Sequence, residues 1–456
     1  MQRSRFQAPI RVAITVVLSS CMVFAGQAGA DDHQRFGEEI LDILREAGRI
    51  SEERYEELKA LEAKEAADRE NGWTLRYSNG LKFEKNDGTV KFNIGGRIQA
   101  DFSSIYVQNA LERAVSGGEG QGVEFRRAWL YTSGELYERI IWKSQFSFAG
   151  GDVQIRDVYI GAKGLGFLGT ARVGNMKEPY SLEELTSSKY ITFMERALPS
   201  AFNSARRFGL AFSNAVLEQR MTWAAGIFAD SDRDGEYFSD PSRFDVMARV
   251  TGLPLYANGG KQLIHLGAAG GYQVRDDASE RFRKRPEIHQ AKRYVDTGDF
   301  QSDGNGILGL EVAGVYGPAH LQAEWQQTWI DQHGGKNLSF WGTYVSGGWF
   351  LTGESRPYNT SRGVWGRVEP KNPFEPSAGK WGAFEVASRF SYLNMNDANV
   401  RGGREANVTV ALNWYLYSNV RLELNYVFAN VLSTGEVLGT ADGEVNAVMA
   451  RAQLEF

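Results

Sequence analysis

The chain closes on Ala447-Val-Met-Ala-Arg-Ala-Gln-Leu-Glu-Phe456, and the alternation in this stretch decides the fold. Val448, Ala450, Ala452, Leu454 and Phe456 share one parity, while Met449, Arg451, Gln453 and Glu455 share the other. Successive side chains of a strand point to opposite faces, so the segment has one apolar face and one largely polar face. Chain ends usually fray, so a large aromatic in last place needs a partner. Two settings supply one: an amphipathic strand on a water-washed sheet, or a strand with hydrocarbon on one side and an aqueous lumen on the other.

The same period of two runs back through the chain. Val90, Phe92, Ile94, Ile98, Ala100 and Phe102 alternate with Lys91, Asn93, Arg97, Gln99 and Asp101. Val420, Leu422, Leu424, Tyr426 and Phe428 alternate with Arg421, Glu423 and Asn425. Such runs exceed the roughly five or six residues of strands in globular sheets and match the roughly nine to eleven that cross a bilayer at a tilt.

Threading the pattern gives strands near 90–106, 123–134, 139–149, 153–163, 169–176, 209–215, 220–229, 244–252, 262–272, 307–317, 319–329, 339–353, 382–395, 405–416, 420–431 and 444–456. Short turns at 134–138, 164–168, 317–318 and 417–419 alternate with longer connections near 108–122, 176–208, 230–243, 273–306, 330–338, 396–404 and 432–443. An even number of strands and this asymmetry of connections characterise outer-membrane barrels. The fold class expected is therefore an all-β transmembrane barrel of about sixteen antiparallel strands, with both ends on the periplasmic side. A closed barrel leaves no free edge, so the last strand pairs with the first. Phe456 then joins Trp414, Tyr415 and Tyr417 in an aromatic girdle. Residues 354–381 fit awkwardly as a long periplasmic segment, which either enters the lumen or shifts the boundaries. Sixteen strands would enclose a wide, water-filled tube.

Composition agrees with a barrel. Among 456 residues there are 51 Gly and only 11 Pro, with 12% aromatics. The mean hydropathy of −0.38 looks soluble, but alternating strands average to the same value. Residues 1–30 read as a signal peptide: Arg3, Arg5 and Arg11, an apolar run from Val12 to Phe24, then Ala28-Gly29-Ala30. Leu18-Ser-Ser-Cys21 also resembles a lipobox, although the apolar run continues past it. Cys21 is the one cysteine, so disulfide frameworks and thiolate metal sites drop out of the processed chain.

Residues 31–70 form a periplasmic helical, coiled-coil-like arm. Ile40, Ile43, Leu44 and Ala47 recur at helical spacing, Gly48 fits a stop, and Ser51 fits an N-cap before a second helix bearing Tyr55, Leu58 and Leu61. The arm holds 14 acidic against 7 basic residues, which leaves 71–456, the barrel domain, near neutral. Nothing in that balance points to nucleic acid.

Several stretches resemble the phosphate-selective porin O/P family. They are Val173-Gly-Asn-Met-Lys-Glu-Pro-Tyr-Ser-Leu-Glu-Glu-Leu-Thr-Ser-Ser188, Thr192-Phe-Met-Glu-Arg196, Phe350-Leu-Thr-Gly-Glu354 and Asn413-Trp-Tyr-Leu416, together with GRIQAD at 96–101 and RPE at 285–287. The resemblance implies a homotrimeric sixteen-stranded porin of a Gram-negative outer membrane, narrowed by its third outer loop. It also implies passage of small anions such as phosphate or polyphosphate.

A pore discriminates by diameter, lining charge and hydrogen-bonding groups at its narrowest point. On the third loop the candidates for a constriction that binds anions are Arg206, Arg207, Arg196, Lys189 and Lys177, set against Glu178, Glu183, Glu184 and Glu195. Arg206 and Arg207 would offer planar forks to an oxyanion. At the mouth, Arg281, Arg283, Lys284, Arg285, Lys292 and Arg293 would gather anions or the phosphates of lipopolysaccharide. Basic lumen-wall candidates are Arg97, Lys143, Arg172, Arg249 and Arg389, facing Asp101, Asp157, Asp245, Glu385, Glu423 and Glu455.

Rival chemistries leave weaker traces. Gly164-Leu-Gly-Phe-Leu-Gly169 spells a dinucleotide motif, but strands flank it where a helix is required. His33, His265, His289, His320 and His333 lack metal-ligand spacing. Neither cofactor, metal nor catalytic residue is expected. The alternatives are a non-selective porin, or a receptor or enzyme barrel with a closed lumen.

Overall fold

The computed structural model describes residues 39–78, 80–115, 117–204, 206–231 and 242–456, with backbone alone at 65–70. The leader at 1–30, Cys21 and most of the fourth outer loop, 230–243, lie outside the described residues.

Residues 39–46 are helical, Gly48 turns the chain at φ 62°, and α1 spans Glu52–Glu70. Ser51 Oγ accepts the Arg54 N–H at 3.3 Å, the cap expected there. The Tyr55 hydroxyl donates to Asp42 at 2.7 Å, and the Arg45 guanidinium lies 4.4 Å over the Tyr55 ring. These contacts tie the two helices into a hairpin.

The barrel strands are β1 (Val90–Val107), β2 (Gly120–Leu136), β3 (Ile140–Ser147), β4 (Gln154–Ala162), β5 (Thr170–Met176), β6 (Arg207–Val216), β7 (Met221–Ala229) and β8 (Phe244–Ala257). They continue as β9 (Gln262–Glu280), β10 (Phe300–Tyr316), β11 (Ala319–Gln332), β12 (Leu338–Phe350), β13 (Ala383–Asp397), β14 (Val400–Tyr417), β15 (Val420–Ser433) and β16 (Gly443–Glu455). Each pairs antiparallel with the next, and β16 closes on β1 from Val445↔Val107 to Glu455↔Arg97. No helix among the described residues is long and apolar enough to cross a membrane. Crossing falls to the strands.

The last residue completes the closure. The Phe456 N–H donates to Gly96 O at 3.2 Å, and the Gly96 N–H donates to Phe456 O at 2.7 Å. A Cβ on Gly96 would stand 2.6 Å from the Phe456 ring and from Trp129 O. Gly96→Val is therefore expected to cost about 1–3 kcal/mol by overpacking the seam, read as a lower temperature for loss of the folded band on a gel.

Parity sorts the two faces. On β16 and the residue after it, Val448, Leu454 and Phe456 are exposed on the outer surface, while Arg451, Gln453 and Glu455 are buried inside. Leu266, Leu310, Phe390, Val410 and Leu424 extend the apolar outer band. Tyr415 departs from the girdle assignment. It lies one position out of phase with Trp414, so it faces inward and donates to Glu385 at 2.7 Å. Trp414 instead meets Phe374 and Phe384 at the rim, with centroids 5.5 Å from each.

Connections differ from expectation at two places. The 396–404 loop is a tight turn through Ala398 and Asn399, because β13 and β14 pair out to Asp397↔Val400. The fifth loop shrinks to 281–299, because β9 and β10 continue to Glu280↔Phe300 beyond a bulge where Asp276 and Asp277 take positive φ. The glycine motif at 164–169 is a turn, with Gly164, Gly166 and Gly169 all at positive φ.

The lumen is narrowed from within by segments fastened to its wall. The third loop, the fifth loop and residues 354–368 fold into the lumen, where wall side chains bind them, while 371–381 lie largely exposed at the rim beside Trp414.

Candidate functional site: the lumen and its passage

The third loop, 177–206, is sewn to the wall by buried polar contacts. Glu324 on β11 accepts the N–H groups of Leu182 and Glu183 at 3.1 and 2.7 Å, capping the helical turn Leu182–Leu185. Arg421 donates to Ile191 O at 2.9 Å, Asn413 to Thr192 O at 2.9 Å and Arg451 to Met194 O at 2.7 Å. Arg196 donates to the carbonyls of Glu183, Glu184 and Thr186 at 3.1, 3.1 and 3.2 Å, which holds the loop in its own fold. Lys177 pairs with Glu184 at 2.8 Å, and Lys189 with Glu455 at 2.6 Å.

The fifth loop adds a second anchor. Glu287, at φ 62°, reaches Arg389, Ser391 and Thr409, while Arg389 also pairs with Glu183 at 3.1 Å. Arg389 thus joins both loops to β13. The third insert, from the periplasmic side, is held by Arg249, whose guanidinium binds Glu311 at 2.9 and 2.7 Å and Gly363 O at 2.8 Å. Trp365 is buried, and its indole N–H donates to Gln322 at 2.6 Å. Arg249 and Arg389 are therefore structural clasps, with side chains 4% and 1% exposed.

Space remains along β4 to β7, where inward side chains are small: Gly161, Gly174, Ala211, Ser213, Ala224 and Gly226. Charged groups beside this strip keep contact with solvent. Lys143 and Asp157 are 25% and 18% exposed and pair at 2.5 Å. Arg206 also binds Asp157 at 2.5 Å. Arg172 donates to Ser213 at 2.8 Å, and Arg97 to Ser188 at 2.5 Å. Trp129 carries three guanidiniums around one indole, those of Arg97, Arg156 and Arg206, at 4.2, 5.3 and 5.7 Å. The ring quadrupole attracts each cation, so the indole holds like charges side by side, while Arg97, Arg156 and Arg206 each also donate to a neighbour, Ser188, Gln154 and Asp157. At the periplasmic end the exposed Arg362 acts electrostatically on Lys143, Tyr159 and Arg172.

Of the constriction candidates, the structure brings Arg206 into this group and places Lys189 beside Tyr131 and Tyr190, 5.9 and 5.3 Å from their rings. Arg207 turns away to Asp230, Glu178 and Asp245. The mouth cluster divides. Arg281 pairs with Asp296 at 2.7 Å, Lys284 dips to Ser200, and Arg285 donates to Ala291 O at 2.9 Å. Arg283 and Lys292 stay exposed, and Arg293 is half-buried. Sequence reading missed Arg156, Arg362 and Trp129. A bulge between Ser144 and Phe146 disturbs the parity beside Arg156, and Arg362 belongs to no strand.

Comparison with known proteins fits this architecture. The model of the family described as phosphate-selective porin O and P matches residues 92–456. An uncharacterized protein of Caulobacter vibrioides is 31% identical over 386 residues, covering 81% of this chain and 75% of its own. Porin O of Pseudomonas aeruginosa is 25% identical over 413 residues, covering 81% of this chain and 90% of its own. In fold, OmpT of Vibrio cholerae, an outer membrane protein, superposes with a TM-score of 0.50 at 10% identity, over 81% of this chain and 98% of that one. A closed barrel with an apolar exterior, a loop-narrowed lumen and a family match over residues 92–456 make this chain a member of the phosphate-selective porin O and P family, a porin of the Gram-negative outer membrane.

Proposed function

We propose that the channel passes small hydrophilic solutes with a bias toward anions such as phosphate, selected along the strip bounded by Trp129, Lys143, Arg172, Arg206 and Arg362. The carrying observation is the gathering of Arg97, Arg156 and Arg206 on one indole, with Asp157 and its two cation partners alongside. A partly desolvated cationic track lowers the barrier for anions and raises it for cations. The family's description as phosphate-selective supports the same cargo class. The working form is read as a homotrimer released from its 1–30 leader, with the arm in the periplasm. Arg283 and Lys292 at the mouth would meet entering anions or lipopolysaccharide phosphates. A channel is favoured over a barrel enzyme because the matching family is one of porins.

Planar-bilayer recording tests this reading. Zero-current potential in a salt gradient should report anion preference, and added phosphate should reduce chloride current. Cation preference, or a barrel that does not conduct, would refute it.

Lys189 supplies a pH dependence. It lies on the loop, and burial pushes its ammonium down to about 8 against the pull of Glu455. The charge is present below that pH and lost above it. Anion preference is expected to fall about twofold between roughly pH 7 and 9, and Lys189→Gln should flatten that step.

A further inference from the structure

Residues 354–368 enter the lumen from the periplasmic side, and two wall histidines hold them by different means. On β9, His265 Nδ1 meets the Tyr358 hydroxyl at 2.6 Å and Nε2 meets Glu311 at 3.1 Å. On β11, His320 Nε2 meets Glu385 Oε1 at 2.6 Å, and Nδ1 faces Arg356 Nη1 at 3.4 Å.

The groups around His320 fix its tautomer. Glu385 on β13 takes hydrogen bonds from Tyr415 at 2.7 Å and Asn413 at 2.9 Å, both on β14, so its carboxylate acts as acceptor and His320 Nε2 carries the proton. Arg421 on β15 donates to Tyr415 at 3.3 Å, and Phe350 on β12 packs its ring 5.9 Å from the imidazole. Nδ1 is then left with a lone pair for Arg356. The same guanidinium donates to Gln322 Oε1 at 3.3 Å and lies 4.1 Å over Trp365.

We propose that His320 is an acid-operated latch: its second proton sets an N–H against the Arg356 N–H and frees the start of the periplasmic insert around Arg356 from the wall, while Arg249 still holds Gly363. Guanidinium has no acceptor to offer in exchange, and two cations then face each other in a buried setting. Arg356 must move, and its hold on Gln322 goes with it. His265 is different. Its partners are a hydroxyl, which accepts as well as donates, and Glu311, which is shared with Arg249. Both contacts survive protonation, so His265 serves as an internal control. Imidazole is the side chain whose charge changes near neutrality, so the latch would report the acidity of the medium around the outer membrane. The inference rests on the barrel being a channel, but not on its ion preference.

The test uses full-length protein with Cys21→Ser and Ser355→Cys, spin-labelled at the half-buried position beside Arg356. Lowering pH from 7.5 to 5.5 should raise the mobile fraction of the nitroxide at least twofold. His320→Gln, whose amide donates to Glu385 and accepts from Arg356 without titrating, should remove the response, while His265→Gln should keep it. A pH-independent spectrum in the labelled parent overturns the latch. So does a response in His320→Gln equal to that of the parent. Because mobility is read rather than current, a failed latch is distinct from a failed assignment of anion preference.

Discussion

Arg206→Ala is expected to lower anion-over-cation permeability roughly fivefold, an effect of about 1 kcal/mol for one lining charge at intermediate dielectric and moderate salt. Arg206 stands over Trp129 and neutralises Asp157 together with Lys143. Its removal subtracts a cation and also uncovers part of a carboxylate beside the passage. Both changes favour cations, so the zero-current potential should move in one direction. Arg207→Ala should move it much less, because Arg207 is occupied by Glu178, Asp230 and Asp245. Equal shifts in the two variants would refute the placement of selectivity at the indole.

Arg389→Ala should have the largest effect on the architecture of the pore. Its guanidinium is 1% exposed and pairs with Glu183 of the third loop and Glu287 of the fifth. Removing one partner from a buried ion pair costs about 3–5 kcal/mol, because uncompensated charge is left behind. Here two carboxylates lose their cation together. Both loops are expected to lift from β13, giving a larger and noisier conductance with weaker ion preference, and a lower unfolding temperature. Arg389→Lys keeps the charge without the fork and should fall between the two. Wild-type conductance in Arg389→Ala would show that the loops are held elsewhere.

How far the sequence reached depends on which forces act locally. Each barrel strand was legible, because hydrocarbon on one side imposes a strict period of two. The helical arm was legible through Gly48 and Ser51, which act within one turn of chain. Tyr415 was assigned to the wrong face because aromatics cluster at the rim on both parities, and only register separates Tyr415 from Trp414. Loops were harder. Charge counts along 177–206 and 281–293 identified basic residues without saying which would find a carboxylate. Arg249 and Arg389 read as lining and proved to be clasps, because Glu311 and Glu287 lie far from them in sequence.

Alternation and chain closure, then, followed from the sequence alone: they answer to solvent on each face of a strand, and that information is written in neighbouring residues. Tertiary structure alone decided what occupies the lumen. The inserts are fixed by ion pairs between residues more than a hundred positions apart, such as Arg389 with Glu183 and with Glu287. Local composition specifies no such pairing, since any inward arginine can satisfy any inward carboxylate until the barrel has closed around them.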